Sequence, residues 1–146
     1  MEYNLTFPLP EGWISEEERY EEVEGATITH ISCHHPDSQG NADVAIELYI
    51  GDMPEDTSAE DEAFANYADM VGWSDDDDDE CPIACWQFQN RKAFGFSGES
   101  EEGMLMLFMS CEIRKGALLI VCTMAKDEAA LSEWSKYVEM KLRLKK

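Results

Sequence analysis

Basic residues are nearly missing from the first 90 positions of this chain. Arg19 stands alone there against 24 Asp and Glu, whereas positions 91–146 carry 10 Lys and Arg against 8 acids. The two portions therefore stand at −23 and +2, giving the formal net charge of −21. Such a field repels nucleic acid and anionic lipid, whose affinity for proteins comes from Lys and Arg neutralising phosphate. It attracts a basic protein or a cation, with a steering effect that salt weakens. Long apolar runs are also lacking: none approaches the roughly 20 residues of a membrane span. The start, Met1 to Leu5, has no basic segment followed by an apolar one, so no secretory signal is expected and a cytoplasmic location is.

Catalytic signatures are missing as well. The chain has no Gly-x-Ser-x-Gly elbow, no Gly-x-x-x-x-Gly-Lys phosphate loop, no dinucleotide fingerprint and no His-Glu-x-x-His pair. With 32 carboxylates, an acid and base pair can be drawn almost anywhere, so closeness in sequence has no diagnostic value. No internal repeat is visible. The five cysteines, Cys33, Cys81, Cys85, Cys111 and Cys122, are an odd number, and two lie in apolar strand-like runs, so reduced thiols are expected. A bridge between Cys111 and Cys122 is conceivable if the hairpin register sets them opposite each other.

What is present organises itself around residues 85–125. Two apolar runs, 103–113 and 117–125, flank Arg114-Lys115-Gly116, where glycine supplies the positive φ of a tight hairpin turn. Period-two alternation would place Leu105, Leu107, Met109, Cys111, Ile113, Leu118, Ile120, Cys122 and Met124 on one face. Met104, Met106, Phe108, Ser110, Glu112, Leu119, Val121, Thr123 and Ala125 would take the other. Both faces are too apolar to stand in water, so the sheet should be covered on both sides.

Elsewhere the chain reads as short strands and two helices. Tyr3 to Phe7 alternates and meets Pro8 and Pro10, a brief strand running into a loop. Ser15 to Glu24 offers only Tyr20 and Val23 as an apolar stripe and reads as exposed coil or a poor edge strand. Residues 26–33 and 43–50 are strands, the second with Val44, Ile46, Leu48 and Ile50 inward. Ser58 and Asp61 open a helix of the capping-box kind that carries Ala63, Phe64, Tyr67, Met70 and Val71 and stops at Gly72. Residues 85–90 and 92–97 form a hairpin. Asp127 caps a last helix whose Leu131, Trp134, Val138 and Leu142 line one face, and whose end carries Lys141, Arg143, Lys145 and Lys146.

The order of these elements, with Pro10-Glu11-Gly12-Trp13 turning after a first strand, resembles the PsbP-like superfamily, which includes the Mog-type Ran-binding proteins and several bacterial proteins of unknown role. The resemblance implies a single α+β domain over residues 1–146. Its form would be an α/β/α sandwich with a mainly antiparallel sheet of six to seven strands and two main helices. Because that family's members are mostly binders or assembly factors, it also implies a binding module without catalysis or cofactor. No functional motif of the family maps onto residues here.

Two candidate sites come from the residues themselves. Cys33, His34, His35, Cys81 and Cys85 are soft ligands from two loops that could serve zinc or thiol chemistry, and with His30 they define the alternative of a small metal- or thiol-dependent enzyme. The run Asp75, Asp76, Asp77, Asp78, Asp79 and Glu80 lacks the alternation and central glycine of a calcium loop and reads as a solvated loop available to a basic partner. The leading expectation is a non-catalytic adaptor, chaperone-like or immunity-like, for a basic protein, acting as a monomer or homodimer. A subunit whose leftover apolar surface is an oligomer interface is a third reading.

Overall fold

The structure, a computed structural model, describes residues 4–8, 13–23, 26–34, 44–52, 58–71, 83–99 and 105–145. Its elements in chain order are β1 (Asn4–Thr6), β2 (Ile14–Val23), β3 (Ala26–His34), β4 (Val44–Asp52), α1 (Ala59–Val71), β5 (Ala84–Phe88), β6 (Arg91–Glu99), β7 (Leu105–Arg114), β8 (Ala117–Ala125), α2 (Glu128–Lys141) and β9 (Arg143–Lys145). Seven strands form one antiparallel sheet in the order β2-β3-β4-β8-β7-β6-β5. It consists of two meanders joined where β4 pairs with β8, so the fold is mixed α+β. The segment read as coil or poor edge strand is a ten-residue edge strand, β2.

The β7–β8 hairpin turns on Lys115 and Gly116, the latter at φ +81°, as its glycine requires. Its register nevertheless corrects the expected faces. Arg114 pairs with Ala117, but Glu112 pairs with Leu118, so Ile113 is an extra residue in β7. A one-residue bulge moves every following pair onto the opposite face. Met106, Phe108 and Ser110 therefore oppose Met124, Cys122 and Ile120, while Met109 and Cys111 oppose Val121 and Leu119. Cys111 and Cys122 are consequently on different faces and cannot bridge; both are free thiols.

Each helix meets alternate residues of β7. Helix α1 starts with the expected reciprocal cap: the Asp61 amide donates to Ser58 Oγ and the Ser58 amide to the Asp61 carboxylate, both at 3.1 Å. Its Ala63 and Tyr67 lie against Phe96, Met106 and Phe108. Tyr67 meets Phe96 edge-on at 5.2 Å, and the Ser110 hydroxyl donates to the Ala59 carbonyl at the helix start. Helix α2 begins at Asp127, whose side chain accepts from the Ala130 amide at 2.8 Å. Its Leu131, Trp134 and Val138, with Leu142, pack on Met109, Cys111, Leu119 and Val121 and on the inward residues of β4. The inward set of β4 is the one its alternation predicts: Val44, Ile46, Leu48 and Ile50 are all buried.

The end of α2 differs from the sequence expectation of a continuous basic helix terminus. Gln89, in the β5–β6 turn, donates its amide to the carbonyls of Glu139 (2.9 Å) and Leu142 (2.5 Å), partnering carbonyls that the helix end leaves open. Leu142 leaves the helix at ψ 131°, and β9 then pairs with β1 to bring the two ends of the described chain together. Gln89 and Asn90 both hold positive φ, 50° and 67°, the conformation of a two-residue hairpin turn.

Candidate functional site

Strand β2 carries the sequence Ile-Ser-Glu-Glu-Glu-Arg-Tyr-Glu-Glu-Val at one edge of the sheet. Among the described residues, no strand pairs with its outer side. Glu16, Glu17 and Glu18 are exposed, and Arg19 approaches Glu17 at 3.9 Å. Unpaired backbone edges invite another strand, and charge along them discourages indiscriminate pairing.

Inward from this edge, pairing sets Glu18 opposite His30 and His30 opposite Tyr49; the next row aligns Glu16, Ser32, Glu47 and Cys122. His30 bridges the two rows. Its Nδ1 lies 3.0 Å from Glu18 Oε1 and its Nε2 lies 2.6 Å from Glu47 Oε2. Ser32 donates to the other oxygen of Glu47 at 3.0 Å, and the Tyr49 ring stacks on the imidazole at 4.3 Å and 3°. Both ring nitrogens thus face carboxylate oxygens, and only imidazolium has a donor on both. Partial burial works against that charge, but the hydrogen bonds and the charges of Glu18 and Glu47 together raise the His30 pKa above its ordinary 6.5. As imidazolium the ring has no lone pair for a metal or for proton abstraction. Glu18, whose side chain is 69% exposed, keeps acceptor capacity toward solvent.

The soft-ligand candidates are dispersed. Cys33 is buried on one face of β3, and the adjacent His34 points to the other. Cys85 is exposed on β5, the opposite edge strand, five strand spacings or roughly 24 Å from β3. His35, Cys81 and Asp75, Asp76, Asp77, Asp78, Asp79 and Glu80 lie outside the described residues. Among the described residues, no group of three or more His, Cys, Asp and Glu is arranged to hold a metal ion. Burial pushes the thiols of Cys33, Cys111 and Cys122 up to about 11, which leaves them protonated and poorly nucleophilic at neutral pH.

Glu18, Glu47 and Tyr49 were not singled out by the sequence as partners of His30. Glu47 and Tyr49 occupy the phase of β4 opposite its Val and Ile residues, where a polar residue is ordinary. Only the cross-strand register reveals the cluster. Comparison of the chain with protein-family models, with curated proteins and with solved structures gives no match. Among the described residues, no helix is long and apolar enough to cross a membrane.

Proposed function

We propose that the protein is a non-catalytic binding or adaptor module that engages a basic protein partner through its acidic N-terminal portion, in the manner of a chaperone or a toxin inhibitor. The observation that carries this reading is the acidic edge strand, with Glu16, Glu17 and Glu18 exposed beside a backbone edge free of a pairing strand among the described residues. His30, hydrogen-bonded to both, holds Glu18 and Glu47 in place, so part of the acidic surface is ordered before a partner arrives. Asp75, Asp76, Asp77, Asp78, Asp79 and Glu80 add further negative charge. The same proposal takes the fold as an α/β/α sandwich akin to the PsbP-like superfamily, working in the cytoplasm as a monomer or homodimer.

The test is capture from extract of the native cell at low salt, followed by elution at about 0.5 M, where exposed charges are screened within about 5 Å. A basic protein should elute from the native chain and be largely missing from a Glu16→Gln, Glu17→Gln, Glu18→Gln triple variant. Capture that persists through the salt step, or that the triple variant retains in full, overturns the reading.

A further inference from the structure

Between α2 and the sheet lies a cavity of about 370 Å³, on the face away from His30. Its walls are Trp86 and Phe88 of β5, Leu107 and Met109 of β7, Val121 of β8 and Leu131 of α2. The volume falls within the range of small-molecule sites and at interior packing density admits a molecule of about fifteen non-hydrogen atoms. Gly95 makes room for the wall residue Trp86: a Cβ there would stand 2.8 Å from its ring, so the absence of a side chain leaves the indole its place.

The polar groups around this cavity include the hydroxyls of Thr123, Ser132 and Ser135 and three charged side chains. Ser135, on its α2 wall, has a buried hydroxyl without a hydrogen-bond partner among the described residues. A buried hydroxyl left unpaired is unfavourable, and native interiors pair such groups wherever they can. Charged side chains at the cavity are Glu128, Lys136 and Glu139, one negative charge in excess, in a chain of net charge −21. An anionic head group meets repulsion there. An ion of either sign would lose its hydration against apolar walls.

We propose that this cavity is a binding site for a small uncharged ligand with an aromatic or aliphatic body and one hydrogen-bonding group, which pairs with the Ser135 hydroxyl once that side chain turns about χ1 from its enclosed position into the cavity. It is independent of the acidic edge, and the partner-binding reading neither needs it nor follows from it.

The probe is N-phenyl-1-naphthylamine, an uncharged aromatic amine whose fluorescence rises in apolar surroundings, added to the full chain. Saturable binding of one probe per chain is expected, with displacement by decanol at least tenfold more effective than by decanoate. In methionine methyl spectra the Met109 signal should move, while Met106 and Met124, on the other face, should not. Leu131→Trp fills the cavity and should weaken binding at least tenfold, and Ser135→Ala should weaken decanol several-fold. The absence of saturable binding, or shifts at Met106 and Met124 in place of Met109, overturns the proposal. So does undiminished binding by a folded Leu131→Trp variant. The methyl spectra need no variant and decide the matter if Leu131→Trp does not fold.

Discussion

At the scale of single residues, His30 sits between two carboxylates from neighbouring strands, which raise its pKa above the ordinary value. A group whose pKa is raised on folding stabilises the fold fully below its unfolded value, and the contribution is lost as pH climbs through the folded value. His30→Gln, which cannot be charged, should therefore cost more stability at about pH 5.5 than at about pH 8.5, on either side of the ordinary histidine pKa. Urea unfolding midpoints at the two pH values measure the difference; an equal cost at both, or a larger cost at high pH, would count against a charged His30. Gly95 makes a separate demand. A Cβ there would come within 1.9 Å of the Phe108 carbonyl oxygen, a backbone atom that cannot step aside alone. Gly95→Ala should cost about 3 kcal/mol, the upper part of the usual range for overpacking. Gly98→Ala is the control: its nearest neighbour is Met106 Cε at 3.8 Å, ordinary contact, and the cost should stay within about 0.5 kcal/mol.

At the scale of elements, what could be read from sequence is what short-range chemistry writes into adjacent residues. Ser58 with Asp61, Asp127 and Gly116 marked two helix starts and a turn, and each performs that task. Other features depend on residues far apart along the chain. Ile113 bears no mark of a bulge, because nothing in its own chemistry distinguishes an extra residue from a paired one; the shift is visible only against β8. Strand β2 was obscured by its own composition, since a run of glutamates suits an edge that solvent reaches and offers little alternation. The cap that Gln89 places on α2 spans 50 residues, so the helix end was beyond any local rule. Two substitutions compare these cases. Asp127→Ala should cost about 1 kcal/mol through the lost N-cap, and Gln89→Ala a similar amount through the lost bonds to Glu139 and Leu142. Denaturant unfolding measures both, and a neutral Gln89→Ala would mean that Arg143, whose Nη1 also donates to both carbonyls, and water serve them equally well.

For the whole molecule, the governing quantity is a formal charge of −21 on 146 residues. Self-repulsion of this size works against the compact state, and salt screens it. Raising sodium chloride from about 0.05 to about 0.5 M should lift the thermal unfolding midpoint by a few degrees, which for a domain of this size corresponds to roughly 1 kcal/mol. A falling midpoint would mean that attractive pairs such as those of His30 outweigh the repulsion. The same charge would make association with a basic protein, as the proposed role requires, fast and salt-sensitive.

The most direct test of that role is the affinity of the captured basic partner, measured across the same salt range for the native chain and the Glu16→Gln, Glu17→Gln, Glu18→Gln variant side by side. The native affinity should fall at least tenfold as salt rises, and the variant should start weaker and fall less steeply, as expected when exposed carboxylates supply the attraction. An affinity indifferent to salt and equal in the two proteins would contradict it.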